Sequence, residues 1–192
     1  MAAGELAEVL AAPFTAWVAP VSTAFPILST AESGFASSWT KVGTSGTKSY
    51  SESGVTVTHT QTIATFVSAG GGVPRKAWRT DEGLQVAFDL VDLSPAQYAL
   101  VMDNATVTHV TGAGAEYSFE LQRGIKVHAY ALLLRGPSTT SEAKEAQFEI
   151  SACYQSSNPA PKLAIKGGPA MLALQFDTLE LEAGKFATFR TQ

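Results

Sequence analysis

The stretch Gly54 to Leu93 constrains this chain more than any other. Its first arm, GVTVTHTQTIATFV, carries Thr56, Thr58, Thr60 and Thr62 at alternate positions. Val55, Val57, Ile63 and Val67 occupy positions between and beyond them, with His59 and Gln61 interrupting that row. Side chains alternate along a strand, so the threonines share one face and the aliphatics the other. The β-branched content favours a strand over a helix. The second arm, GLQVAFDLVDL, sets Leu84, Val86, Phe88 and Leu90 against Gln85, Ala87 and Asp89. Two strands of this kind predict a long antiparallel hairpin.

The connector between the arms, SAGGGVPRKAWRTDE, is far too long for a tight turn. It gathers Arg75, Lys76, Trp78 and Arg79 just before Asp81 and Glu82. Two readings stand side by side. One is a mobile surface loop. The other is an arm that orders against a neighbouring subunit, since Trp and Arg are enriched at interface hot spots.

Composition bears on that choice. Charged residues make up 16% of the 192-residue chain, against about 25% in an average domain. Few charges with many Thr, Ser, Ala and Gly suit a surface covered by other subunits. The formal net charge of −4, from 13 basic and 17 acidic residues, argues against a groove that grips nucleic acid. Cys153 is the single cysteine, which excludes an intrachain disulfide and a cysteine metal cluster. It reads as a small core residue. No apolar run approaches the roughly 20 residues of a membrane span. Residues 1–13, beginning MAAGELAEVLAAP, read as an N-terminal arm or short amphipathic helix without the basic start of a secretory signal. Residues 14–192 read as a single domain.

Along the chain, Phe14 to Pro20 predicts a short strand, and a Gly- and Ser-rich turn precedes the hairpin. A helix is expected after Leu93. Ser94 suits the N-cap, Pro95 the first helical position and Gln97 a capping box, with a stop at Asn104. Strands then resume at Glu116–Leu121, at Ile125–Arg135, at Ala146–Tyr154 and in a final ladder carrying Leu172, Leu174 and Phe176. In the third of these, Phe148, Ile150, Ala152 and Tyr154 are expected to point inward, and Gln147, Glu149 and Ser151 outward. GKFATFRTQ reads as a short tail. Many strands with one flanking helix predict a mainly β fold, an antiparallel β-sandwich or partial barrel.

Catalytic motifs are not found. His59, His109 and His128 have no partners at metal-ligand spacing, and HExxH, EF-hand and GxSxG patterns do not occur. Ala69 to Gly72 resembles a phosphate loop in glycine content alone. Asp81 and Glu82 read as a solvated turn or as partners of Arg79. No cofactor is implied.

A repeated physical feature remains. Four strands carry a polar face without Lys or Arg: Thr56, Thr58, Thr60 and Thr62, then Gln85 with Asp89, then Gln147 with Glu149, then Gln175 with Asp177. A solvated sheet face ordinarily includes lysine.

The run from WTKVGTSGTKSYSESG through the two arms to DLSPAQYALVMDNATV resembles the core of major tail tube proteins of long-tailed bacteriophages, as do AWVAPVSTAFP and ALLLRGP. The likeness covers roughly Phe14 to Phe176. It rests on a WxxxG entry, a polar strand, an RTxEG re-entry and a strand entering a capped helix. The resemblance implies a β-sandwich whose copies form hexameric rings. The rings stack, and a closed inner β-barrel then lines a channel that DNA crosses during ejection. It implies no catalytic residues, and it implies tape-measure and tail terminator or tip proteins as further partners. The chain would be assembled in the host cytoplasm and reside in the virion tail. Alternation then makes Thr56, Thr58, Thr60, Thr62, Asp89, Glu149 and Asp177 the expected lumen residues. Arg75, Lys76, Trp78 and Arg79 become the expected subunit interface. A carbohydrate-binding sandwich and a different virion adaptor stand as alternatives.

Overall fold

The computed structural model describes residues 14–102, 107–111, 114, 116–118, 127–138, 145–161, 170–181 and 184–192. The N-terminal arm, the helix stop at Asn104, the strand end at Leu121 and the strand start at Ile125 lie outside the described residues. The chain is mainly β. Among the described residues its strands are β1 (Thr15–Pro20), β2 (Thr40–Lys41), β3 (Thr56–Phe66), β4 (Lys76–Leu90), β5 (Thr108–Val110), β6 (Glu116–Ser118), β7 (Tyr130–Pro137), β8 (Glu145–Gln155), β9 (Leu172–Thr178) and β10 (Ala187–Thr191), with one α-helix, α1 (Pro95–Val101). Eight strands form one antiparallel sheet in the order β2-β1-β7-β8-β9-β4-β3, with β10 attached to β8. β5 and β6 pair separately. The eight-stranded sheet does not close into a barrel within one chain.

One core draws on both halves of this sheet. Val18, Leu132, Leu134 and Ile150 from one half share a buried cluster with Val86, Phe88, Leu90, Leu174 and Phe176 from the other. Phe88 stacks near-parallel on Phe176, and Tyr50 meets Phe88 edge-on. The Tyr50 hydroxyl accepts the Ala16 N–H at 3.0 Å and donates to the Val42 carbonyl at 2.6 Å. Burial pushes this phenol up to about 12, only partly offset by the Ala16 hydrogen bond. A second cluster covers the opposite face of β1 and β7, where Trp17, Trp39 and Leu133 pack with Phe25 and Phe35. Burial on both faces explains why ALLLR and TAWVA read as nearly unbroken apolar runs.

Four details differ from the sequence-based expectations. The strand β4 begins at Lys76 rather than Gly83, so the connector shrinks to the residues between Phe66 and Lys76. Cross-strand pairing extends a hairpin past the point where its hydrophobic alternation stops. The tail is a strand: Ala187–Thr191 pairs with Ala146–Ile150 of β8. Five residues are too few for a periodic signal to emerge from sequence. The strand β8 is irregular, with Ile150 opposite Leu132 but Cys153 opposite Tyr130. That extra residue turns Cys153 to the core and brings Tyr154 opposite Asp177, so Tyr154 does not follow Ile150 inward. Finally, Ser94 makes no side-chain cap bond. Asp92 acts at this corner instead. Its carboxylate accepts the Ser94 N–H at 3.0 Å and the Thr44 N–H at 2.9 Å, with the Thr44 hydroxyl as a third donor. Burial pulls the Asp92 carboxyl upward, but these bonds outweigh it and hold the group below the usual carboxylate range. The neighbouring turn requires glycine: Gly43 has φ +82°, and a Cβ there would lie 2.7 Å from that of Ser49.

Candidate functional site

The register assembles a polar surface from β3, β4 and β9. Thr58 pairs with Gln85, which pairs with Asp177, and Thr56 pairs with Ala87, which pairs with Gln175. Directly paired residues share a face, so these rows form one continuous surface. Thr60, beside Gly83, and Thr62, beside Asp81, extend it along the hairpin, and Asp89, beside Ala173, extends it the other way. The opposite face of the same three strands carries Val57, Val86, Phe88, Leu174 and Phe176, which are buried or packed on the core. Burial of that face fixes the register, because a one-residue slip would exchange the two sets. Gln85 Nε2 donates to Asp177 Oδ1 at 2.9 Å, and Gln175 Nε2 donates to Ser156 Oγ at 3.1 Å. Tyr154 borders the surface at Asp177, an aromatic neighbour that strict alternation along β8 hides.

Glu149 does not belong to the exposed part of this surface, which corrects the sequence-based expectation. It is 7% exposed. Its Oε1 receives Gln147 Nε2 at 2.6 Å and Arg190 Nε at 2.7 Å. Gln147 is itself fully buried and donates to the Pro26 carbonyl at 2.9 Å. The segment after β1 and the C-terminal strand β10 thus cover the outward face of β8. A polar residue at an outward position of a strand remains exposed only if nothing else packs there.

The hairpin projects beyond the sheet. β9 pairs with Gln85–Leu90 alone, so the part of β3 and β4 farther from the sheet has only its own cross-strand partner. All of Lys76–Glu82 is exposed. Ile63, Phe66, Val67, Val73 and Trp78 are large apolar residues in this arm, each about half exposed or more. An isolated two-stranded ribbon is marginal in water, and this one leaves large apolar side chains exposed on both of its faces.

The expected interface residues divide within the arm. Arg75 precedes β4, and its N–H donates to the Phe66 carbonyl at 2.8 Å. A bulge at Thr80 shifts the register between Thr62 and Ile63. Beyond it, Ala64 pairs with Trp78 and Phe66 with Lys76, on the face that carries the threonines, while Arg79 pairs with Ile63 on the other face. The threonine face therefore changes from hydroxyl-bearing near the sheet to apolar and basic at the tip. On the Arg79 face, Glu82 Oε1 accepts from Arg79 Nη1 at 2.8 Å and bonds His59 Nε2 at 2.7 Å. Those two bonds, His59 first, hold the Glu82 carboxyl below its usual range.

The remaining histidines lie elsewhere: His109 stacks on Tyr117 in the β5–β6 pair, and His128 precedes β7. A cleft of about 650 Å³ beside α1 is lined mostly by small and apolar residues, with Gln97 and His128 among the polar ones and no carboxylate. Among the described residues, no three His, Cys, Asp or Glu side chains group closely enough to hold a metal ion. No described helix is long and apolar enough to cross a membrane. In comparison with known proteins, the chain matches no protein-family model, and no curated protein matches it in sequence.

Proposed function

We propose that this chain is a major tail tube subunit of a long-tailed bacteriophage, which forms stacked hexameric rings around a channel for DNA. The observation that carries this reading is the continuous β3–β4–β9 surface. Its exposed and half-buried polar side chains near the sheet are threonine, glutamine and aspartate, without a cation until Lys76 at the tip of the arm. A conduit must not bind its cargo. Aspartate repels phosphate, and threonine and glutamine give a wet neutral wall. The surface ends at the outer edge of β3, whose eleven residues TVTHTQTIATF contain no Lys, Arg, Asp, Glu or Pro. An unprotected edge of that length is a template for pairing with another chain, and ring closure removes it.

In this reading the chain is a β-sandwich domain over residues 14–192 whose inner sheet joins those of its neighbours in a closed barrel. Thr56, Thr58, Thr60, Thr62, Asp89 and Asp177 line the lumen. The arm bearing Arg75, Lys76, Trp78 and Arg79 docks on an adjacent copy. Tape-measure and terminator or tip proteins complete the tail, and the chain acts as a structural virion protein rather than an enzyme.

Sedimentation velocity across a concentration series tests the assembly, with and without partner tail proteins from the same particle. Hexamers and longer stacks are expected. A protein that stays monomeric in both conditions refutes the reading. Tyr154 beside Asp177 supports the competing carbohydrate-binding reading, since sugar sites use an aromatic ring next to polar groups. Binding of a glycan by the monomer, lost on Tyr154→Ala, would favour that alternative.

A further inference from the structure

His59 occupies the place where the arm leaves the body of the chain. β9 ends at Thr178, whose hydroxyl oxygen accepts the Leu84 N–H at 3.0 Å. His59 pairs with Leu84 and is the next residue out from Val57 on the core face of β3. Its Nε2 lies 2.7 Å from Glu82 Oε1, and Arg79 Nη1 donates to the same oxygen at 2.8 Å. The imidazole also stacks on Phe186, with centroids 6.3 Å apart and planes 22° from parallel. Phe186 immediately precedes β10, which is bonded to β8 in the main sheet. His59 therefore touches β4 of the arm and the C-terminal segment of the body at once.

Among the described residues, few groups face or flank this imidazole. β4 contributes Glu82, Arg79 and the apolar Leu84. The segment before β10 contributes the Phe186 ring, with Lys185 next to it in sequence, and β3 itself places Gln61 on the same face. We propose that His59 is a pH-dependent brace: its protonation stiffens the base of the arm, where the hairpin leaves the body. A neutral imidazole makes an ordinary hydrogen bond to Glu82 and an ordinary ring stack. With a second proton it makes a charge-assisted bond to the carboxylate, which ties β3 to β4 more tightly at the base of the arm. Arg79 moderates the gain, because it already holds the same carboxylate oxygen. Imidazoles ordinarily change charge between about pH 5 and 8, where Glu82 stays ionised. A stiffer arm loses less entropy on docking. The consequence for assembly rests on the tube reading, whereas the brace itself does not.

Native-state hydrogen exchange on the full chain at pH 5.5 and 7.5, corrected for intrinsic rates, tests the brace. Arm amides in His59–Phe66 and Lys76–Glu82 are expected to be roughly two- to fivefold better protected at pH 5.5, the scale of a partly exposed ion pair. Amides of β7 should not change. His59→Gln and Glu82→Gln should each abolish the difference. Equal protection of the wild-type arm at both pH values overturns the proposal, as does an unchanged difference in both variants. A pH-dependent arm in a protein that never assembles would leave the brace standing and sink the tube reading.

Discussion

Gln85 donates from Nε2 to Asp177 Oδ1 at 2.9 Å across the β4–β9 pair. The bond fixes a carboxylate on the polar surface, with β4 between it and the threonine row. Asp89 carries another carboxylate of the same face, beside Ala173. Asp177→Lys and Asp89→Lys should each leave the fold intact, with melting shifted by no more than a few degrees, because both sites are only half-buried. If the tube reading holds, either change should also slow DNA passage in assembled particles, most strongly at low salt, because every ring would repeat the new cation. Ejection rates measured at two salt concentrations check this.

Trp78 is 46% exposed on an arm that lacks a third strand. Trp78→Ala should therefore cost little in the stability of the single chain. If the arm docks on a second copy, the same change should raise the concentration needed for assembly by about tenfold or more. Paired thermal melts and light-scattering titrations separate the two effects.

Glu149 gives the opposite pattern. Its side chain is 8% exposed and bonded to Arg190 and Gln147. Glu149→Lys should destabilise the fold by about 3 kcal/mol or more, since it buries a cation beside Arg190 and removes one of the two acceptors of Gln147. Urea unfolding of the variant checks the magnitude. A variant as stable as wild type would contradict the burial described above.

Alkaline pH offers a further test. Burial raises the Cys153 thiol from 9.0 to about 12, and burial raises the Tyr50 phenol from 10.0 to about 12. The folded chain thus holds both protons more tightly than the unfolded chain. The stability this represents is fully present below pH 9 and is lost as pH climbs towards 12, with Cys153 contributing first and Tyr50 joining above pH 10. Urea midpoints should be level up to about pH 9 and fall beyond it. Cys153→Ala should remove the earlier part of the fall, and native Cys153 should resist alkylation at pH 8.

The hairpin and its faces were legible in sequence because alternation over a long strand has one physical solution. Thr56, Thr58, Gln85, Asp89 and Asp177 share a surface since Val57, Val86, Phe88 and Phe176 must be buried together. What escaped was decided by packing partners. Glu149 alternates outward like Asp177, but Arg190 and the segment around Pro26 cover it, and neither contact leaves a periodic trace. Tyr154 changed face through one extra residue in β8. Lys76, Trp78 and Arg79 read as loop because glycines precede them and apolar alternation is missing, yet pairing with Ile63, Ala64 and Phe66 makes them strand. Ser94 fits a cap by residue type, but Asp92 has the better geometry for binding that corner.

The most direct test of the tube reading is an electron cryo-microscopy map of the assembled protein, taken alone or in native particles. A sixfold stack with Asp89, Asp177 and the Thr56–Thr62 row on the channel wall is the expected result. A sixfold stack with those side chains on its outer surface would contradict the lumen assignment, and a different assembly without a central channel would contradict the function itself.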